Sequence, residues 1–320
     1  MVQKPSSTSV AKDAHKYPSS SLNQSDLSGA IARESGNEEK MSFLEHLRKR
    51  RRQWFKKNGK RILRALFMYL GKQSLVGDPP VFDTTKFPWA MELEKNFDVI
   101  YRELQGILAM REYIPYFHEL SPDQKRISTG KNWQTFFLMG FGYKTEQGWK
   151  RCPETMKILE KIPNLRTAFF SILGPNYHIP PHQGVTKGLI RCHLGLIVPD
   201  QRDQCVMRVD DQICQWEEGR CLVFDDTYDH EVWNKTDQER VVLLIDVDRP
   251  MRLVGRLISR FLIFGVRRSG YVQDVRKNLK TWEALYDQAE SQRKSYGHGH
   301  PSLPSIEAID QNILSKNSTE

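Results

Sequence analysis

A chain of 320 residues with a formal net charge of +9 and a 39% apolar share has room for one large domain or two small ones, and enough apolar mass to bury a core. The basic balance, with a pI near 9.2, favours anionic partners: acidic lipid head groups, nucleic acid or acidic peptides. Five cysteines without a Cys-x-x-Cys pair argue against a disulfide framework and point to reduced thiols and a cytoplasmic setting; no N-terminal run has the form of a secretory signal, and none reaches the roughly 18 apolar residues of a spanning helix.

Residues 1–40 are rich in Ser, Lys, Asn, Gln and Gly and poor in large apolar side chains, and are expected to form a disordered tail. The character changes over 41–76. From Arg48 to Lys72 there are eleven Lys and Arg residues and no Asp or Glu. Trp54 and Phe55 are interleaved with them, and Ile62, Leu63, Leu66, Phe67 and Leu70 fall on one helical face. A basic amphipathic helix of this kind suits an anionic membrane surface, with docking on the core as the alternative. No DNA- or RNA-binding signature accompanies it, so nucleic acid is set aside as a partner.

Residues 77–250 read as the main domain. The stretch 78–165 is mixed and mainly helical, with helical spacing of Leu93, Phe97, Ile100, Leu104 and Ile107 between Met91 and Met110. Residues 133–138 are predicted as a strand extending a sheet. Short strands separated by turn signals follow at 167–173, 189–198, 204–209, 220–224, 230–233 and 240–247, with a hairpin turn at Asp210-Asp211. The segment 251–270 mixes Arg252, Arg256, Arg260, Arg267 and Arg268 with Leu253, Val254, Leu257, Phe261 and Phe264. It reads as a helix that either covers the strands or lies on a bilayer. A polar helix is expected from Arg276 to about Gln292, and a disordered tail to residue 320.

The residues that carry chemistry lie among the strands. His182 stands in Ile179-Pro180-Pro181-His182-Gln183-Gly184, and His230 follows Asp225, Asp226 and Asp229. Arg191 and His193 flank Cys192 on one predicted strand and so share a face; Arg240 opens the last strand. Two imidazoles suit a ferrous site with open positions, and a guanidinium can grip a carboxylate with two parallel hydrogen bonds. His178 is too far from His182 along an extended chain to share an ion with it and reads as a pocket-rim residue. Lys187 and Arg220 read as surface charges.

These motifs, together with Phe170-Ser171, Pro181-His182-Gln183-Gly184, Arg191-Cys192-His193-Leu194-Gly195-Leu196, Trp216-Glu217-Glu218-Gly219, Phe224-Asp225-Asp226, His230-Glu231-Val232-Trp233 and Arg240 before Asp246-Val247, resemble the aspartyl/asparaginyl β-hydroxylase domain of the iron(II)- and 2-oxoglutarate-dependent dioxygenases. A looser likeness to bacterial lipid A hydroxylases extends to Gly77-Asp78-Pro79-Pro80 and Arg249-Pro250-Met251. The resemblance implies a mainly β domain with flanking helices around a double-stranded β-helix, a jelly-roll or cupin-like core at about 133–248. It implies iron(II) on His182 and His230, with Asp226 as a catalytic partner beside them. It implies 2-oxoglutarate held by Arg240 with Ser171, Arg191 and His193, and O2 as the second cosubstrate. The carboxylate usual two residues after the first histidine is Gly184 here, as in the branch it resembles, which implies a site completed by 2-oxoglutarate and water. A lipid acyl chain at a membrane surface is the first candidate substrate, favoured by the basic segments. An Asp or Asn side chain of a protein is the second, favoured by the glycine-bearing site. A barrel that binds without turnover is the third, raised by the missing carboxylate.

Overall fold

The computed structural model describes residues 58, 59 and 61–296; the expected N-terminal tail, the run Arg48–Arg52, Trp54, Phe55 and the expected C-terminal tail beyond Tyr296 lie outside the described residues. The chain divides into two compact units, Met1–Arg64 and Ala65–Glu320. Of the first, residues 58, 59 and 61–64 are described and are helical. The second holds everything that follows. A helix over 65–73 (α1) belongs with the strands: Leu70 is fully buried, Ser74 bridges to Met251, and the Leu75 amide donates to the Pro250 carbonyl at 2.9 Å.

The elements then run β1 (Val81–Phe82), α2 (Pro88–Lys95), α3 (Phe97–Leu108), α4 (Phe117–Leu120), β2 (Trp133–Gly140), β3 (Tyr143–Lys144), α5 (Glu146–Arg151), α6 (Pro153–Glu160), β4 (Leu165–Leu173), β5 (Tyr177–His182), β6 (Leu189–Ile197), β7 (Cys205–Val209), β8 (Gln212–Gln215), β9 (Cys221–Phe224), β10 (His230–Asn234), β11 (Arg240–Asp248), α7 (Leu253–Arg268) and α8 (Gly270–Tyr296). The apolar periodicity over 91–110 is realised as two helices, α2 and α3, broken at Asn96, whose side-chain amide donates to the Glu92 carbonyl at 2.8 Å. The last helix starts at Gly270, earlier than its polar composition suggested.

Strands β4–β11 make a jelly roll. A seven-stranded sheet in the order β1-β9-β6-β11-β4-β2-β3 faces a four-stranded sheet in the order β5-β10-β7-β8, and all the pairings are antiparallel. The chain passes from one sheet to the other between β4 and β5, β5 and β6, β6 and β7, β8 and β9, β9 and β10, and β10 and β11, so each sheet's inner face is built from distant stretches of sequence. The jelly roll itself spans Leu165–Asp248, with β2 and β3 widening the larger sheet. The β7–β8 turn falls at Asp210-Asp211 as expected, with Asp210 at φ 55°, the left-handed geometry that Asp tolerates.

Every residue of β2 is buried because both faces are covered. Trp133 and Phe137 face the barrel with Phe169, while Phe136 meets Trp282 and Tyr286 of α8. Strand β5 escapes the alternation rule. Its two prolines cannot donate to a ladder, which suits its place at the edge of the smaller sheet. All five cysteines are buried and unpaired. No described helix is long and apolar enough to cross a membrane.

Candidate active site

A slip of one residue in the β5–β10 register aims the first histidine. His230 pairs with His182, whereas Val232 pairs with Ile179 and Trp233 with His178, so β5 carries one extra residue at Pro180-Pro181. Such a bulge reverses the facing of everything beyond it. Val232 and Ile179 point into the core, Trp233 and His178 point out, and His182 turns inward beside His230. His178 thus does not line the pocket. It stacks on Trp233 at 5.3 Å on the outer face of the smaller sheet and meets Glu231 at 3.0 Å, where Arg208 also binds.

The two inward rings lie with centroids 4.1 Å apart. Each Nδ1 faces a carbonyl two residues back: His182 to Pro180 at 2.9 Å and His230 to Tyr228 at 3.0 Å. A carbonyl only accepts, so each ring carries its proton on Nδ1 and presents a bare Nε2 lone pair. Burial pulls His182 down to about 4 and His230 to about 3, the second helped by His182 itself. Both are neutral imidazoles at physiological pH, the form a metal takes.

Asp226 approaches from the β9–β10 loop. A Cβ added at Gly184 would fall 2.2 Å from its Oδ1, and its carbonyl accepts from the Gly184 amide at 2.6 Å. The carboxylate of Asp226 therefore fills the space in which a side chain at 184 would begin. Burial pushes its pKa up to about 6 against the pull of Arg191. Among the described residues no three His, Cys, Asp or Glu side chains converge as a ready metal cage. The side chains here that could hold a metal are the two imidazoles.

Deeper along the same inner face, the sheet registers Arg240 against Leu173 and Val242 against Ser171. Arg240 is 1% exposed and lies over the Trp216 ring at 4.6 Å, and its Nε and Nη1 have no hydrogen-bond partner. Burial lowers its pKa to about 10, still a cation at neutral pH. The Trp216 indole donates to His193 Nδ1 at 3.3 Å, which forces the neutral His193 proton onto Nε2, and that atom is also buried and unpartnered. Burial, aided by Arg240, holds His193 well below its ordinary pKa. The Ser171 hydroxyl accepts from the Trp133 indole at 3.0 Å, leaving its own proton to donate. Thr135, in register with Ser171, has an unpartnered buried hydroxyl. Unsatisfied donors around a buried cation are costly unless an anion joins them.

Arg191 reaches the same face as His193 but arrives engaged. It binds Asp246 at 2.8 and 3.1 Å and Asp226 at 3.2 Å. Beside it lies a cavity of about 140 Å³ whose walls include Phe117, Trp133, Phe137, Phe169 and Leu244, with His182, Gly184, Arg191, Asp226 and Asp246 at the polar end.

Lys187 is not a surface charge. It is buried between Asp78 at 2.8 Å and Asp225 at 2.9 Å, and Arg249 binds the same two carboxylates. This cluster ties the entry to β1, the loop after β5 and the end of β11 to the loop carrying Asp226. Arg220 is exposed as expected, against Glu94. The sequence reading missed the roles of Trp216, Thr135, Asp246, Lys187 and Arg249. Trp216, Asp246 and Arg249 lay within the quoted motifs, which was the available signal.

Comparison with known proteins follows the same residues. The aspartyl/asparaginyl beta-hydroxylase family matches residues 94–250. The chain is 45% identical over 223 residues to an ornithine lipid ester-linked acyl 2-hydroxylase of Rhizobium tropici, covering 69% of this chain and 79% of that protein. It is 32% identical over 163 residues to the aspartyl/asparaginyl beta-hydroxylase of Homo sapiens, covering 49% of this chain but only 21% of the human protein. Among solved structures, a cupin domain of an Enterobacter cloacae transcriptional regulator aligns with 37% of this chain and 97% of its own at 14% identity and a TM-score of 0.26, and the fold assignment rests on the sheets themselves.

Proposed function

Since this chain belongs to the aspartyl/asparaginyl β-hydroxylase family and is a hydroxylase by that kinship, we propose that it is an iron(II)- and 2-oxoglutarate-dependent dioxygenase whose substrate is the acyl chain of a lipid. The observation that carries the chemistry is Arg240: a buried guanidinium with unpartnered nitrogens, on the same inner face as two neutral imidazoles. In this reading His182 and His230 hold the metal through Nε2. Bound there with 2-oxoglutarate, iron(II) supplies the activation of O2 that puts a hydroxyl on an unactivated C–H bond, the cosubstrate leaving as succinate and carbon dioxide. Arg240 grips the distal carboxylate, with Ser171 and His193 donating beside it. Arg191 adds positive charge from the same face while holding Asp246 and Asp226. Asp226, whose carboxylate occupies the space beside Gly184, orients water there.

The acyl substrate is favoured by the phenylalanine- and leucine-walled cavity beside His182, and by the relative that matches the greater share of this chain. An Asp or Asn side chain of a protein is the second reading, supported by Gly184 and by the human relative.

The test is turnover of the purified chain with iron(II), 2-oxoglutarate and either an ester-linked acyl lipid or Asp- and Asn-bearing peptides. Succinate and a hydroxylated acyl chain are expected by mass spectrometry, and both should vanish in the His182→Ala His230→Ala double variant. Succinate formation surviving in that variant sinks the metal assignment. Hydroxylation of the peptides alone moves the substrate to the second reading.

A further inference from the structure

Helix α7 is locked onto the barrel by one side. Its buried residues are Gly255, Ser259 and Ile263, one helical turn apart. The contacts are close: a Cβ at Gly255 would fall 2.4 Å from the Gln73 Cβ, and one at Gly188 would fall 2.0 Å from the Ser259 hydroxyl. The helix therefore rests on the end of α1 and on the loop after β5. That loop carries Val185 and Thr186, which line the cavity beside His182.

Among the described residues nothing covers the opposite side. Leu253 is 61% exposed, Val254 52%, Leu257 57%, Phe261 75% and Phe264 55%. At about 100° per residue these five side chains fall on one ridge facing away from Gly255, Ser259 and Ile263. Arg252, Arg256, Arg260 and Arg268 are exposed along the same helix, the last with its guanidinium 3.8 Å from the centre of the Phe264 ring. No Asp or Glu occurs between Leu253 and Arg268. Single exposed apolar residues are ordinary; a continuous ridge bordered by one sign of charge is not.

We propose that the outer face of α7 docks on an anionic lipid bilayer, with Leu257, Phe261 and Phe264 entering the headgroup boundary and the arginines binding lipid phosphates. The charge selects this occupant. Arginines with long apolar stems can border a buried ridge while their heads stay with phosphate. A second copy of the chain would bring arginine against arginine. The exposed Val185 at the cavity and the exposed Leu75 beside α1 add apolar surface near the helix's contacts. The docking deepens the acyl-chain reading, because it would hold the cavity at the leaflet where such chains are found. It is tested without any turnover, so its failure and that reading's failure are separable.

The experiment is flotation of the full chain with vesicles of phosphatidylcholine alone or mixed with phosphatidylglycerol. Binding is expected to the mixed vesicles and to fall as salt rises. Leu257→Asp Phe261→Asp should weaken it by roughly tenfold or more, with circular dichroism and thermal midpoint unchanged, since both side chains are exposed. Phe261→Cys labelled with an environment-sensitive dye should shift to the blue on the mixed vesicles only; the native cysteines are buried and spare from labelling. Absence of flotation by the intact chain overturns the proposal. Equal flotation of the double variant also overturns it, by assigning the binding to another segment. So does a dimer in light scattering that the double variant dissolves without any flotation, which would make the ridge a contact between copies.

Discussion

Two arginines on the inner face of the larger sheet live under opposite conditions. Arg191, at the cavity, is matched by two carboxylates, Asp246 and Asp226. Arg240, deeper in, has the Trp216 ring and unpartnered Nε and Nη1 atoms. A buried cation with its counter-charges supplied by the fold is part of the scaffold. One without them is a cost that the fold alone does not offset, and it is recovered when an anion arrives. That difference is the basis for proposing a positioning role for Arg191 and a ligand-binding role for Arg240.

The sharpest way to break that comparison is to remove each charge in turn. Arg240→Met keeps the length and the contact with Trp216. It should leave the metal-free thermal midpoint unchanged or higher, while raising the 2-oxoglutarate requirement by roughly a hundredfold. Arg240→Lys keeps the charge but loses the fork, and roughly a tenfold rise is expected. Arg191→Met strands Asp246 and Asp226, and should cost about 3 kcal/mol of stability by denaturant unfolding. If Arg240→Met destabilises the protein as much as Arg191→Met does and leaves 2-oxoglutarate saturation unchanged, the distinction between the two arginines is lost.

Much of this site was legible because strand alternation is local. Arg191 and His193 share a face by simple spacing, as do Arg240 and Asp246, and the register keeps each pair together. What was not legible came from pairings between distant segments. His178 read as a pocket-rim residue, but the bulge at Pro180-Pro181, which exists only in the pairing with β10, turns it to the outer face while His182 points in. Lys187 looked like a surface lysine because its partners, Asp78 and Asp225, lie far along the chain in either direction. The Trp216 indole gained its role from the same kind of remote meeting, between the approach to β9 and strands β6 and β11. Strands β1, β3 and β5 went unpredicted as well, while β8 was foreseen only as the far arm of the Asp210-Asp211 hairpin. β1 and β3 are two residues long, and β5 carries two prolines, so propensity carried little signal.

Arg191's second partner offers a finer probe. Gly184→Ala places a Cβ within 2.2–2.3 Å of the Asp226 carboxylate, so that side chain must turn away from its place beside Arg191. Turnover should drop roughly tenfold, about 1.4 kcal/mol in the barrier, while 2-oxoglutarate saturation stays near the parent value because Arg240 is untouched. Gly184→Asp should not exceed the parent, since Asp226 already holds the space. A Gly184→Asp enzyme faster than the parent would mean that Asp226 is not doing the work of an acid at the site.

The smallest expected effect is in the pH dependence of the metal-free fold, and its sign follows from three groups. His182 and His230 stay unprotonated in the fold down to about 4 and about 3, while unfolded histidines take up protons below about 6.5. Their contribution is present above that value and is lost on acidification through the window down to about pH 3. Asp226 runs the other way. Its folded pKa of about 6 lies above the unfolded value of about 3.9, so the native state holds the extra proton in between, and stability falls as pH rises across that window. Asp226→Asn removes only this opposing slope. The thermal midpoint of the metal-free variant, relative to the parent, should therefore be near zero at pH 4 and grow to a plateau above pH 6. A difference that does not change with pH would mean that Asp226 ionises as freely in the fold as in the unfolded chain. Arg191 would then compensate its carboxylate in full, leaving Arg240 as the sole unbalanced charge of the pair.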